Sequence, residues 1–364
     1  MRKILLAIVV AALGVGSYWV YKNNSSDVDD AGKQTIKIGV GLPLTGDSQE
    51  SGQIAKNALM MFKEDLKKRD LKNNYEFIIE DSDVLQPKKI VMATNKLTSI
   101  DKVDAIISYW NSPGIIVSEI LKGKNILHFN FGNDTKVLLE KNDFIFYSSP
   151  KEQVKVLLSE AQRRGITKVA ILGTNNEWSY MIMDETKAQK NDFGIEVVET
   201  QVVNIGERNF NTALEKLRKA NPELYLLYVE TPEFEISRKK MLEMGIKEPV
   251  TSSELPDYTA ERDLFEGTWY VSLPDGDVGF NKRIREFSGN DNTYGAAYMY
   301  DIASLMVDAY EKAETKEEVA DVMREIKTFS GKVGNVGQID GFFVVPAELK
   351  QIKNGETHLI GHGE

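Results

Sequence analysis

The run Ile36-Lys37-Ile38-Gly39-Val40-Gly41-Leu42, followed by Pro43-Leu44-Thr45-Gly46 and then by Ala55, Ala58, Leu59, Phe62 and Leu66, decides how this chain folds. The first part is short, apolar and bounded by proline and glycine, which reads as a buried strand. The last part places apolar residues at i, i+3, i+4, i+7 and i+11, one face of a helix. Strand, loop and amphipathic helix in that order make the first half of a βαβ unit.

The same alternation continues along the chain. Further strands are expected over 75–80, 105–109, 126–131, 169–173, 195–203, 224–229 and 269–272. Val154, Leu157, Leu158 and Ala161 repeat the helical stripe, behind the capping-box sequence Ser149-Pro150-Lys151-Glu152 and ahead of a closing Gly165. Thr231-Pro232 is expected to open a helix that ends before Gly245, Thr293 to Lys312 to form a long one, and Thr315 with Glu318 to start the last long helix. One βα series runs to about 148 and a second begins at about 149, with later segments crossing back. The expectation is an α/β fold of two doubly wound, Rossmann-like lobes, one from 35–148 and 274–330, the other from 149–273 and 331–364.

Composition bounds the function. The 364 residues are 42% hydrophobic, enough apolar material for two cores of ordinary domain size. A net charge of −10 opposes phosphate backbones, so nucleic acid is not an expected partner. Cysteine is absent, which removes disulfides, thiolate metal sites, cysteine nucleophiles and thioether lipid anchors.

Residues 1–34 stand apart. Arg2 and Lys3 precede the uncharged run from Ile4 to Tyr21, and a polar spacer follows from Asn23 to Lys33. This is an export signal. Its apolar run would extend about 27 Å as a helix against a hydrocarbon core of ~30 Å, with Tyr18, Trp19 and Tyr21 at the level of an interfacial belt. A removed signal and a retained anchor both remain open, because Gly14 and Gly16 are small enough for a cleavage site but no Ala-x-Ala occurs. The mature part is expected outside the cytoplasm, as a monomer touching membrane only through 4–21 if that segment is kept.

No catalytic constellation stands out. Gly39 and Gly41 superficially suggest a dinucleotide fingerprint, but Gly39 lies inside the strand and Pro43 breaks the spacing, so no cofactor is expected. Of the three histidines, His128 falls in a strand, while His358 and His362 lie in the C-terminal tail without Glu-x-x-His company, and no metal site is expected. There is neither a Gly-x-Ser-x-Gly elbow nor a Walker sequence.

In an open α/β sheet ligands sit at the carboxyl ends of strands, so the loops there are the candidates. After the third strand, Ser112 is a natural N-cap and Pro113 a natural first helical residue, and such a helix start can hold a carboxylate. A simple cap is the alternative reading. The fourth strand leads into Gly132-Asn133-Asp134-Thr135, for which a turn is the plain reading. In the second half the loops at 174–180, 230–233 and 251–254 offer Trp178 and several carboxylates, suited to an ammonium or to hydroxyls.

Ile36-Lys37-Ile38-Gly39-Val40 through Leu44-Thr45-Gly46, Glu80-Asp81-Ser82-Asp83 with Pro87-Lys88-Lys89, Asn111-Ser112 and Tyr300-Asp301-Ile302 resemble the type I periplasmic binding proteins, in particular the branched-chain amino-acid (leucine/isoleucine/valine) binding proteins of ABC transporters. The resemblance covers nearly all of 35–356, in order and at similar spacing. It implies two lobes joined by three crossovers, closing on a small-molecule ligand, with a membrane permease as partner and no chemistry performed. It also implies ligand contacts. Asn111 and Ser112 stand at the loop that receives a ligand carboxylate, Gly132 and Asp134 at the next contacting loop, Trp178 at an aromatic position, and Glu254 on the acid that pairs with a ligand ammonium. Ser51 and Thr231 replace aromatic contacts, and Asp134 replaces a threonine. These departures break the transfer of leucine-like specificity, while retention of Glu254 implies a polar, amine-bearing metabolite, an amino acid or amide-like compound. A sensor domain of the same fold without a dedicated permease, and a doubly wound enzyme, are the alternative readings.

Overall fold

The computed structural model describes residues 32–46, 48–83 and 86–362, and the export segment read over 4–21 lies outside them. In chain order the strands are β1 (Thr35–Leu42), β2 (Asn74–Asp81), β3 (Ala105–Tyr109), β4 (Leu127–Phe131), β5 (Asp143–Tyr147), β6 (Lys168–Thr174), β7 (Glu196–Val203), β8 (Leu224–Tyr228), β9 (Val250–Thr251), β10 (Trp269–Ser272), β11 (Thr328–Gly331), β12 (Gly334–Ile339), β13 (Phe342–Val344), β14 (Glu348–Lys353) and β15 (Glu356–His362). The helices are α1 (Gln49–Leu66), α2 (Pro87–Asn95), α3 (Asn111–Leu121), α4 (Pro150–Arg163), α5 (Glu177–Gln189), α6 (Asn211–Lys219), α7 (Glu233–Glu243), α8 (Leu255–Tyr258), α9 (Val278–Ser288), α10 (Ala296–Lys312) and α11 (Val319–Glu325). Two compact units result. The first takes the chain up to Phe131, Lys136–Phe144 and Ile302–Ile326, and the second takes Gly132–Thr135, Ile145–Asp301 and the chain from Lys327 onward.

In the first unit β4, β3, β1 and β2 lie side by side and parallel. Every residue of β3 and β4 is buried, the pattern of a parallel sheet covered on both faces. The α1 stripe does what its spacing requires: Ala55, Ala58, Leu59, Phe62 and Leu66 are all buried, with Phe62 edge-on to Phe77. Gly39 and Gly41 both lie within β1, so the glycines belong to the strand and not to a phosphate-binding turn.

In the second unit β7, β6, β8 and β9 form another parallel sheet. Val154, Leu157, Leu158 and Ala161 of α4 pack on it together with Val169, Ile171 and Leu226. Ser149 caps α4 by accepting the Glu152 N–H at 3.1 Å, and Gly165 turns the chain after the helix with φ +75°. Antiparallel pairs complete the unit: β10 with β14, β14 with β15, β11 with β12 and β12 with β13, while β13 runs parallel to the Ile145–Tyr147 part of β5. The α/β class is the one expected.

Two features differ from expectation. The expected strands omit β5 and the C-terminal strands β11 to β15, of which β12 is glycine-rich and polar and β5 begins on Asp143, whose partner is fifteen residues away. Thr315 and Glu318 do form a reciprocal capping box, yet it opens one 3-10 turn and the seven-residue α11, since Ile326 is already extended toward β11. The long helix expected over 293–312 is α10, 17 residues. Among the described residues no helix is long and apolar enough to cross a membrane.

Candidate ligand-binding site

In the first unit β1 and β3 are parallel neighbours, so their carboxyl ends feed α1 and α3 from one edge of the sheet. Ser51 sits half-buried in the first turn of α1. Its neighbour Gly52 lies so close to the loop after β1 that a Cβ there would stand 2.0 Å from the Pro43 carbonyl oxygen. Asn111, half-buried, and Ser112, exposed, are the first two residues of α3.

The start of α3 corrects the sequence reading, in which Ser112 was the cap and Pro113 the first helical residue. Trp110 holds the cap position and Pro113 is third. Proline is tolerated there because the first four N–H groups of a helix have no intrahelical acceptor. Trp110 has φ +73° and ψ 170°, a region essentially restricted to glycine. The Trp110 N–H donates to the Phe131 carbonyl at 2.7 Å, and its own carbonyl accepts from the Gly114 N–H at 3.1 Å and from Asn130 Nδ2 at 2.9 Å.

In the second unit Trp178, Thr231 and Glu254 follow β6, β8 and β9, three adjacent parallel strands. Asn176 ties two of these loops together: its Oδ1 accepts from the Ser179 N–H and its Nδ2 donates to Glu230, both at 2.8 Å. Trp178 is half-buried, rests on both cores of the unit and stands edge-on to Tyr228. Thr231 is exposed, with Oγ1 3.2 Å from Glu235 Oε1. Gly132 and Asp134 are buried in the segment after β4.

Glu254 is the most constrained of these residues. It is 3% exposed, adopts φ +63°, and donates its N–H to the Val271 carbonyl at 2.7 Å. Its Oε2 accepts from Tyr147 at 2.6 Å, Tyr294 at 3.0 Å and Tyr258 at 3.4 Å, and its Oε1 accepts from Gln153 Nε2 at 2.7 Å. Gln153 is fixed in turn by a short contact from Ser253 Oγ to its Oε1. Burial pushes the Glu254 carboxyl above its usual range, against the opposing pull of the Tyr147, Tyr294 and Gln153 donors, while the Asp257 charge adds to the rise. The result is a dry carboxylate whose charge is stabilised only by aimed donors.

Sequence reasoning singles out Glu254 but not the residues that surround it. Tyr147 closes β5, Gln153 lies in the first turn of α4 and Tyr294 precedes α10. Their separations from Glu254 are 107, 101 and 40 residues. The one local hint is a glutamine at a buried position beside the apolar Val154, Leu157, Leu158 and Ala161 of α4.

A family model described as periplasmic binding protein matches residues 35–356. The chain belongs to the periplasmic binding protein family. Among its relatives, the Leu/Ile/Val-binding protein homolog 2 of Brucella abortus is 24% identical over 322 residues, 83% of this chain and 85% of the relative. The branched-chain amino-acid transporter substrate-binding protein LivJ of Streptococcus pneumoniae, solved with isoleucine, superposes with a TM-score of 0.79 at 16% identity, covering 90% of this chain and all of that one. An ABC-transporter solute-binding protein of R. palustris, solved with benzoate, gives 0.78 at 15% identity over 90% and 96%. These likenesses carry the type I periplasmic binding protein fold, which is that of solute-binding proteins and not of enzymes. Their ligands differ from one another, an amino acid in one and an aromatic acid in the other.

Proposed function

We propose that this protein is the extracytoplasmic solute-binding component of an ABC-type uptake system, and that its ligand is a small polar metabolite bearing an amine, of amino-acid or amide-like kind. The observation that carries this reading is Glu254, a buried carboxylate at the carboxyl edge of a parallel sheet, held rigidly by three hydroxyls and an amide. A cationic group meeting such a carboxylate makes a charge-assisted hydrogen bond in a dry setting. The helix start at Asn111 and Ser112 suits an anionic group, such as the carboxylate of an amino acid. Asp134 and Trp178 are the residues proposed to read the side chain, with Ser51, Gly132 and Thr231 leaving room for a polar one. The proposed partner is a membrane permease.

A second reading rests on the same carboxylate. Four donors within 3.4 Å already occupy the roughly four lone-pair positions of Glu254. If they stay in place, Glu254 is structural and the ligand is a carboxylic acid without an amine.

Native mass spectrometry of gently purified protein, followed by thermal unfolding with the twenty L-amino acids and with benzoate, separates the readings. A retained amine-bearing small molecule and an amino acid that raises the melting temperature are the expected results, because a ligand at 100 times its Kd adds about 2.7 kcal/mol to the native state. A response to benzoate alone establishes the second reading. Stoichiometric conversion of the ligand would overturn both.

A further inference from the structure

Beneath the start of α3 lies a linear array of buried side chains on β3, β4 and β5. Asp143, on β5, accepts the Glu140 N–H at Oδ2, 2.9 Å, and lies 2.8 Å from His128 Nδ1 through Oδ1. His128 Nε2, on β4, is 2.8 Å from Ser108 Oγ on β3. Ser108 Oγ accepts from Asn130 Nδ2 at 2.8 Å, and the same amide donates to the Trp110 carbonyl at 2.9 Å. An ionised Asp143 can only accept from His128, so the network places an imidazole proton on Nδ1.

The Ser-His-Asp order looks like a hydrolytic triad, but its setting rules that out. Ser108 is 1% exposed and His128 fully buried, and Ser108 Oγ is occupied on one side by the imidazole and on the other by Asn130. No carbonyl carbon can reach that oxygen.

What the array does touch is the strained residue. Trp110 is held in a glycine-only backbone conformation, and its carbonyl, gripped by Asn130, is also the acceptor for the first helical N–H of α3. Asn130 is packed against that turn: a Cβ on Gly114 would stand 2.3 Å from its Nδ2. Its Oδ1, buried, has no hydrogen-bond partner among the described residues, which leaves the amide orientation to be set by its donor bonds alone.

We propose that Asn130, Ser108 and His128 are positioning residues that clamp Trp110 and thereby preset the first turn of α3 for an anionic ligand group. The assignment rests on the reading of that helix start as the carboxylate contact. The relay links the anchored Asp143 to the helix start through a chain of hydrogen bonds, so the strain at Trp110 is offset by groups that never touch ligand.

Amide hydrogen exchange on the full-length chain tests the clamp without any ligand. Asn130→Ala frees the Trp110 carbonyl, and the Gly114 amide is expected to exchange about tenfold faster or more while Ile106 and Phe129 in the sheet keep their protection. Adding Trp110→Gly, which removes the strain, is expected to restore Gly114 protection to within about threefold of the parent. Ser108→Ala, a smaller change that cuts the link between Asn130 and His128, is expected to act in the same direction if Asn130→Ala does not fold. Unchanged Gly114 exchange, failure of Trp110→Gly to rescue, or an equal acceleration at Ile106 and Phe129 would overturn the clamp. Calorimetry with L-glutamine as probe adds the functional arm: Asn130→Ala should weaken binding about tenfold and the double variant regain it. Absence of L-glutamine binding by the parent counts against the amide-like reading of the ligand alone, and the exchange pattern still decides the relay.

Discussion

Tyr147 Oη donates to Glu254 Oε2 at 2.6 Å, joining the end of β5 to the loop before α8 across 107 residues. Tyr147→Phe keeps the ring and removes this donor, together with the hydroxyl's 2.8 Å contact to Tyr294 Oη. A hydrogen bond to a buried charge contributes about 1.5–3 kcal/mol, so the variant should lose about that much stability near neutral pH. The pH dependence has a definite sign. Burial raises the Glu254 carboxyl, so the fold holds that proton more tightly than the unfolded chain does; the associated stability is complete below the unfolded value of about 4.3 and is lost as pH rises through the folded one. Without Tyr147 the ionised form loses a donor and the carboxyl rises further. The gap between parent and variant should therefore be widest at pH 8 and narrow toward pH 4, as read by urea unfolding at each pH.

Glu254→Gln tests the ligand. If the ligand carries an ammonium at that carboxylate, affinity should fall about 10-fold to 150-fold, the equivalent of about 1.5–3 kcal/mol. Calorimetry with the ligand recovered from the purified protein measures it. Binding as tight as in the parent assigns Glu254 to structure and selects the carboxylic-acid reading. Some stability should also be lost without ligand, because the new amide meets Gln153 Nε2, whose orientation Ser253 fixes.

Lys350 is 3% exposed on β14, with Nζ 3.2 Å from Asp257 and 3.4 Å from Asp275. Burial alone would pull its ammonium down, but the two carboxylates more than reverse this and hold it charged. Asp257 also accepts from Tyr270 at 2.5 Å and from Ser272, and it belongs to the short helix that follows Glu254. Lys350→Met strands that carboxylate, and breaking such a pair costs about 3–5 kcal/mol. Adding Asp257→Asn should recover most of the loss in urea unfolding, since the uncompensated charge is then gone.

Asp301 is 1% exposed and accepts the N–H groups of Lys332 at 2.8 Å and Val333 at 3.0 Å. Burial outweighs those two bonds and moves its carboxyl up to about 6. The folded value exceeds the unfolded one, so the linked stability is complete below about pH 4 and is lost as pH rises through 6. Each pH unit separating the folded from the unfolded value is equivalent to about 1.36 kcal/mol, which makes the whole decline about 3 kcal/mol. Asp301→Asn should flatten it in melting curves taken from pH 4 to 7. A parent curve flat across the window would contradict it.

Much of this architecture is legible locally. The stripe from Ala55 to Leu66 and the strand from Ile36 to Leu42 announce their faces by spacing alone, and Glu254 is marked by its place after a strand end. Other parts are not. The cap of α3 is misread because Ser before Pro is the better local cap, whereas the observed start is fixed by Asn130 of the next strand reaching the Trp110 carbonyl. β5 is missed because it begins on Asp143, a charged residue whose side-chain partner His128 lies on the neighbouring strand.

The sequence by itself determined the alternation of strands and helices, the α/β class, and the loops where a ligand-contacting residue could stand, since periodicity of apolar residues encodes which face each element buries. Only the tertiary structure decided the company each polar residue keeps. A buried carboxylate such as Glu254 is set by donors from Tyr147, Gln153 and Tyr294, and Trp110 is held in its strained backbone by a side chain twenty residues on. Burial is an average property that local spacing can carry, but a hydrogen bond is a meeting of two particular atoms, and distant strands must first pair to bring them within about 3 Å.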